Sequence, residues 1–141
     1  MKFLMTAAVL TALSVAASAA ELATLAVKVE GVSTKGGTLR VGLYDQAVFP
    51  VRGSKPVNGR VVPATPGEMI VTLEGIVPGE YGVKALDDEN ANGVMDFTMG
   101  FMPGEPYGFS NDAKPNMGPP AWNDVKIVIK PGGNAITIHL H

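Results

Sequence analysis

Residues 23–30 have the sequence ATLAVKVE, in which every second side chain, starting from Ala23, is apolar. Six shorter strand-like stretches follow, beginning near positions 39, 61, 69, 81, 125 and 136. A period of two residues is typical of a β-strand with one face toward a core and the other toward solvent. Turn-forming pairs such as Gly36-Gly37 and Asn58-Gly59 separate the stretches, because glycine and asparagine accept positive φ. The pattern predicts an all-β protein, a single antiparallel β-sandwich of about seven strands, immunoglobulin-like or transthyretin-like, with a closed barrel as the alternative.

Composition limits the classes of function that this chain can have. Its 141 residues suit one domain. The 11 basic and 13 acidic residues give a net charge of −2 and are scattered, so the sequence lacks the basic surface that a nucleic-acid partner requires. The absence of cysteine excludes a disulfide framework, a thiolate metal site and a cysteine nucleophile.

The first 20 residues have the pattern of an export signal. Lys2 precedes an apolar stretch, Phe3 to Val15, and small residues occupy positions 17–20. This arrangement predicts a signal peptide, residues 1–20, that is cleaved after Ala19 or Ala20; an uncleaved anchor is the alternative. The expected mature domain, residues 21–141, contains no stretch apolar enough to span a bilayer. We therefore expect a periplasmic or secreted protein with no membrane span in its mature form.

A long segment without strand or helix periodicity, residues 87–124, lies between two predicted strands. It contains five of the eight aromatic residues of the mature chain and seven acidic residues against one lysine. Loops of this length in compact domains are usually functional or disordered, and disordered segments are poor in aromatic residues. We therefore expect one long structured loop, acidic and aromatic, that folds over an end or edge of the sandwich and binds a cation or contacts basic strands.

Within this segment, residues 88–96 fit the calcium-loop pattern D-x-N-x-N-G-x-x-D. We call these residues the motif loop. Gly93 stands where such a loop must turn sharply, and position 12 is Met99 instead of the usual glutamate, so Asp87, Glu105 or water would have to supply the missing ligand. The alternative is a plain turn at Asn92-Gly93. The predicted Ca²⁺ ligands are the side chains of Asp88, Asn90, Asn92 and Asp96 and the backbone carbonyl of Val94.

Three stretches together resemble a known bacterial family. They are D-E-N-A-N-G-V-M-D at 88–96, Y-G-F-S-N at 107–111 and P-P-A-W-N-D at 119–124. The sequence is similar to a family of small exported bacterial proteins classed as a domain of unknown function. Members of that family usually have phenylalanine at the position that Trp122 occupies in this chain. The resemblance implies a transthyretin-like sandwich and export, and it implies no assigned activity.

Aromatic residues of the same segment allow two interpretations. Tyr107, Phe109 and Trp122 form either a possible ligand surface, such as a platform for sugar rings, or anchors that hold the segment on the sandwich.

The polar and sulfur-containing residues allow two other chemistries. Met95, Met99, Met102 and Met117, with His139 and His141, are soft ligands that suit copper, although methionine also fills gaps in cores. Asp88 and Asp96 suit an acid–base pair, but no nucleophile–base motif accompanies them.

The sequence therefore favours an exported, non-catalytic β-sandwich that binds Ca²⁺ through the motif loop. We expect it to act as a binding or accessory module of the cell envelope, with an envelope protein or a glycan as partner. The alternatives are a small periplasmic hydrolase that uses loop carboxylates and a methionine-rich copper-binding protein.

Overall fold

The computed structural model describes residues 21–51, 53–93, 97–98, 102–115 and 117–141. Two main sheets pack face to face, and a short pair, β6 and β7, forms a separate two-stranded sheet. The ten described strands are β1 (Ala23–Val32), β2 (Thr38–Tyr44), β3 (Asn58–Pro63), β4 (Gly67–Ile76), β5 (Gly79–Asp88), β6 (Phe97–Thr98), β7 (Met102–Pro103), β8 (Tyr107–Phe109), β9 (Ile127–Ile129) and β10 (Gly132–His139). A single 3₁₀ turn covers Ser110–Asp112, and a one-turn helix, α1, covers Trp122–Val125. The predicted all-β sandwich is confirmed. Among the described residues no helix is long and apolar enough to cross a membrane.

The smaller sheet has the strand order β10-β1-β4. β4 runs antiparallel to β1, whereas β10 runs parallel to it, with Ala23 opposite Gly132 and Glu30 opposite His139. This parallel pair differs from the antiparallel arrangement expected from the sequence. The parallel pairing follows from the path of the chain between the sheets. β9 pairs with β5 in the larger sheet, and the chain then crosses to the smaller sheet, where β10 runs along the free edge of β1 in the same direction as β1.

The larger sheet has the order β3-β2-β5-β8. β5 continues through Asp87 and Asp88, so the first two residues of the predicted loop end a strand. The segment also supplies β8, which pairs with β5 so that Phe109 lies opposite Lys84. Part of the predicted loop is thus a strand of the sandwich. The acidic residues at its start lie at the end of a central strand.

One predicted strand begins too early. Val125 was expected to start the strand that follows the long segment, but it ends α1, and β9 starts at Ile127. The side chain of Val125 is buried in a small cluster with Phe49 and Phe109. The apolar character that suggested a strand therefore serves packing at one side of the sandwich.

The main core lies between the two sheets and contains the inward side chains that the alternation predicted. Its largest fully buried members include Leu25, Val27, Val29, Leu39, Val41, Leu43, Val71, Leu73, Val83, Ile129 and Ile138. Burial of each such side chain contributes roughly 1.5–3 kcal/mol to the free energy of unfolding. This core holds the ends of β2 and β5 in fixed positions, and the motif loop starts at those ends.

Candidate functional site

Asp88 is the anchor of the motif loop. It is the last residue of β5, lies opposite Thr38 of β2 and has no solvent exposure. Its Oδ2 accepts hydrogen bonds from the Gly93 backbone N–H at 2.7 Å and from Arg40 Nε at 3.0 Å. Its Oδ1 accepts from the Asn92 backbone N–H at 3.1 Å. One buried carboxylate therefore fixes the loop to the face of the larger sheet.

The charge state of Asp88 follows from these contacts. Burial pushes the pKa of its carboxyl upward, but the hydrogen bonds from Gly93, Arg40 and Asn92 outweigh burial and hold the pKa below its usual value. The side chain is therefore an anion at neutral pH, paired with the half-exposed guanidinium of Arg40.

The motif loop itself is a tight turn around that carboxylate. Gly93 has φ +84° and Ala91 has φ +54°, and Asn90 Oδ1 accepts the Asn92 N–H at 3.2 Å. The structure thus brings Asp88, Asn90 and Asn92 together, whereas Val94 and Asp96 lie outside the described residues. Within the described ranges no group of three or more histidine, aspartate or glutamate side chains is arranged as metal ligands.

A second carboxylate network lies beside the loop. Asp87 Oδ2 accepts the Ser33 N–H at 2.8 Å, and Ser33 Oγ donates to Glu89 Oε2 at 2.7 Å. Glu105 Oε2 accepts the Glu89 N–H at 2.7 Å. Asp87 Oδ1 is buried and has no hydrogen-bond partner in the part of the chain that the structure describes. Successive strand residues point to opposite faces, so this network lies on the core side of β5.

Arg40 and Ser33 bond the carboxylates of Asp88 and Asp87, and no sequence motif includes them. Each bonds a residue that is 48 or 54 positions away in the chain, and only the strand pairing brings them together. Their residue types gave no local signal. The expectation that the acidic segment contacts basic strands is met by Arg40 of β2, which bonds Asp88, but no pattern singled out this residue or Ser33.

The three aromatic residues predicted as a possible ligand surface lie in one cluster around Phe49. The ring centroid of Phe49 is 6.2 Å from that of Phe109 and 6.0 Å from that of Trp122, and the Tyr107 and Phe109 centroids are 5.9 Å apart. Phe109 is only 6% exposed. The arrangement favours the anchoring role for Phe109, while Tyr107 and Trp122 are partly buried against the same cluster.

Polar residues of the Y-G-F-S-N stretch hold the two ends of the segment together. Ser110 is buried, donates from Oγ to the Val125 carbonyl at 2.6 Å and accepts the Val83 N–H at 2.9 Å. Asn111 Nδ2 donates to the carbonyls of Asp124 and Lys126 at 3.1 and 3.0 Å. Ser110 and Asn111 therefore have a structural role, because their hydrogen bonds fasten α1 to β5 and β8.

The residues considered for copper are not assembled in the described part of the chain. Met95 and Met99 lie outside the described residues, as does the side chain of Met102. Met117 is fully exposed.

His139 lies between two carboxylates. Its Nδ1 is 2.8 Å from Asp112 Oδ2 and its Nε2 is 2.7 Å from Glu30 Oε2, and its backbone N–H donates to Asp112 Oδ1 at 3.0 Å. The hydrogen bond with Asp112 is the main cause that raises the pKa of His139 above its usual value. Burial raises the pKa of Asp112, but the bonds from His139 outweigh burial and lower it.

This arrangement predicts that stability depends on pH through His139. A histidine whose pKa is raised in the folded state adds stability that is complete below the unfolded pKa, 6.5, and is lost as the pH rises through the folded value. Lys28, 3.6 Å from Glu30, keeps its charge in this range. We expect the free energy of unfolding in urea to fall as the pH rises from 6.5 through the raised folded pKa of His139, and we expect His139→Gln to remove most of that fall. An unchanged slope in the variant would show that another group is responsible.

Comparison with known proteins gives one family match. A family model described as "Uncharacterized protein conserved in bacteria (DUF2141)" matches residues 27–137. No curated protein matches the sequence significantly. Among solved structures, a pilus-presented adhesin, Spy0125 (Cpa), is similar at 12% identity with a TM-score of 0.31. That alignment covers 86% of this chain and 26% of the adhesin chain, and at this TM-score it carries no argument about function.

Proposed function

The chain belongs to the bacterial DUF2141 family, and we propose that it is an exported, non-catalytic binding module of the cell envelope. In this proposal the sandwich is a rigid frame, the motif loop at the end of β5 takes Ca²⁺, and the partner is another envelope protein or a glycan.

The non-catalytic part of the proposal is supported by the state of Ser110 and His139. Ser110 is buried and donates its hydroxyl proton to a backbone carbonyl. Both ring nitrogens of His139 are occupied by carboxylates. A nucleophile needs a base that is positioned to accept its proton, and these two side chains are engaged in holding the fold.

The observation that carries the calcium proposal is the way the motif loop folds around Asp88. Asp88 and Gly93 occupy positions 1 and 6 of the calcium pattern, and Gly93 makes the sharp turn that the pattern requires, with φ +84°. The neighbouring Asp87, Glu89 and Glu105 make this end of the sheet strongly acidic. A bound divalent cation offsets the repulsion among carboxylates that the fold holds close together.

Arg40 limits the affinity of such a site. Its guanidinium bonds Asp88 Oδ2, so Ca²⁺ and Arg40 compete for the same carboxylate. We therefore expect weak binding, in the range of about 10⁻⁴–10⁻³ M that is typical of extracellular modules.

We expect 10 mM CaCl₂ to raise the melting temperature of the metal-free protein by several degrees. A dissociation constant of about 0.1 mM corresponds to a gain of roughly 2.7 kcal/mol at 100-fold excess. Mg²⁺ should have a smaller effect, because it keeps its waters and requires a stricter octahedron. The measurement is thermal unfolding followed by circular dichroism after chelator treatment, at constant ionic strength.

Asp96→Asn is the variant that tests the site, since Asp88 also anchors the loop without metal. The matched control is Asp124→Asn, which removes an exposed acid of the same segment outside the motif. We expect Asp96→Asn to abolish the calcium effect and Asp124→Asn to retain it. Equal effects in both variants, or no calcium effect at all, would mean that residues 88–96 form only a turn.

A further inference from the structure

A cleft of about 330 Å³ lies between β8, the segment after the 3₁₀ turn and the end of β10. Its apolar wall is formed by Tyr107, Phe109, Ala113 and Pro115, and its polar rim by Lys114, His139 and His141, together with Asp112. None of these residues belongs to the motif loop. We call this feature the cationic cleft.

The charges at the rim favour an anion. The carboxylates that approach the cleft are already engaged, because Asp112 and Glu30 bond the two ring nitrogens of His139. Lys114 is exposed and forms no ion pair with any residue that the structure describes. His141 lies close enough to Asp112 to lower the pKa of that carboxyl. Lys114 is thus a positive charge beside an apolar wall, and no carboxylate of the described residues lies within salt-bridge distance of it.

The backbone at the rim is fixed in an unusual conformation. Asn111 and Asp112 are consecutive non-glycine residues with φ of +58° and +49°. The side-chain bonds of Asn111 to two carbonyls and of Asp112 to the His139 N–H hold this conformation. Asparagine and aspartate accept the left-handed region more readily than other non-glycine residues, and here the surrounding bonds hold both residues in it. The rim is therefore preorganised.

We propose that the cationic cleft binds a small organic anion, a carboxylate carried on a flat apolar body. The apolar body packs against Tyr107 and Pro115, which line the cleft and are at least partly exposed, and the carboxylate pairs with Lys114. This combination follows the usual composition of small-molecule sites, in which apolar walls provide area and a few polar groups fix orientation. The proposal is independent of calcium binding, because it uses other residues and an oppositely charged ligand.

The test is a titration of the ¹⁵N-labelled protein with phenylacetate, followed by NMR at pH 6. Phenylacetamide, which has the same shape and no charge, is the ligand control. We expect saturable shifts of the amide signals of Gly108, Ala113, Lys114 and His139, with a dissociation constant in the millimolar range, on the order of 1–10 mM. Phenylacetamide should bind more weakly.

Lys114→Gln should weaken phenylacetate binding about fivefold, the upper end for an exposed ion pair. The matched control, Lys130→Gln, removes another exposed lysine outside the cleft and should leave binding unchanged. Shifts that do not saturate, that fall on residues outside the cleft, or that are the same for phenylacetamide or for Lys114→Gln would overturn the proposal.

Discussion

Asp88→Ala is expected to lower the free energy of unfolding by about 3 kcal/mol. The substitution removes a buried carboxylate that accepts three hydrogen bonds, from Arg40, Asn92 and Gly93. A hydrogen bond to a charged group contributes about 1.5–3 kcal/mol, and donors left without an acceptor add a desolvation cost. Unfolding in guanidinium chloride at pH 7, followed by circular dichroism, measures the loss.

The dependence on pH separates this effect from simple loss of packing. The pKa of Asp88 is held below 3.8 in the folded protein, so its contribution is present above the unfolded pKa and disappears as the pH falls through the folded value. We expect wild type and Asp88→Ala to become more similar in stability as the pH falls below about 4. The matched control, Glu74→Gln, changes an exposed acid on β4 and should stay within about 0.5 kcal/mol of wild type. A variant at position 88 with wild-type stability would contradict the anchoring role.

Gly37→Ala is expected to destabilise the protein by about 2–5 kcal/mol. A Cβ at this position would lie 2.2 Å from the Asp88 carbonyl oxygen and 2.6 Å from that of Glu89. Both are backbone atoms at the start of the motif loop, so the loop or β2 would have to move. Overpacking costs about 1–3 kcal/mol, and the left-handed φ of +83° adds about 1–2 kcal/mol for an L-residue.

The preceding glycine provides a matched control for this effect. Gly36 has nearly the same φ, +81°, and no atom lies within 4 Å of the position its Cβ would take. Gly36→Ala should therefore cost only about 1–2 kcal/mol, the conformational part. The difference between the two variants, measured by chemical unfolding, isolates the close approach of Gly37 to the loop. Equal losses in the free energy of unfolding for the two variants would show that the motif loop shifts to accommodate the added Cβ without an energetic penalty.

Features of the fold that depend on local sequence could be predicted. The alternation in residues 23–30 identified β1 and its buried face, because a half-buried strand requires it. Partner choice depends on residues far apart in the chain, so the parallel pairing of β10 with β1 had no local signal. At Val125 a local signal was present but misleading. The apolar residues around it suggested a strand, but its burial beside Phe49 and Phe109 outweighed strand propensity.

In the candidate site, too, the features encoded in a short stretch could be predicted and those that depend on distant residues could not. The turn formed by Asp88, Asn92 and Gly93 lies within six consecutive residues, so spacing was enough to identify it. Arg40 and Gly37 complete the site from β2 and from the turn before it, and neither has a sequence pattern that links it to the motif loop. The aromatic cluster was also predicted only in part, because its centre, Phe49, belongs to a different segment.

The parallel pairing of β1 and β10 has a mechanical consequence. In this pair the start of β1 and the end of β10 lie at opposite ends of one ladder, with Ala23 beside Gly132 and Glu30 beside His139. Tension applied at those two points acts along the strands and loads the evenly spaced hydrogen bonds of a parallel ladder at the same time. Separation by shear requires these bonds to break together, whereas a hairpin pulled at its open end loses them one by one. The domain is therefore arranged to resist stretching along this axis.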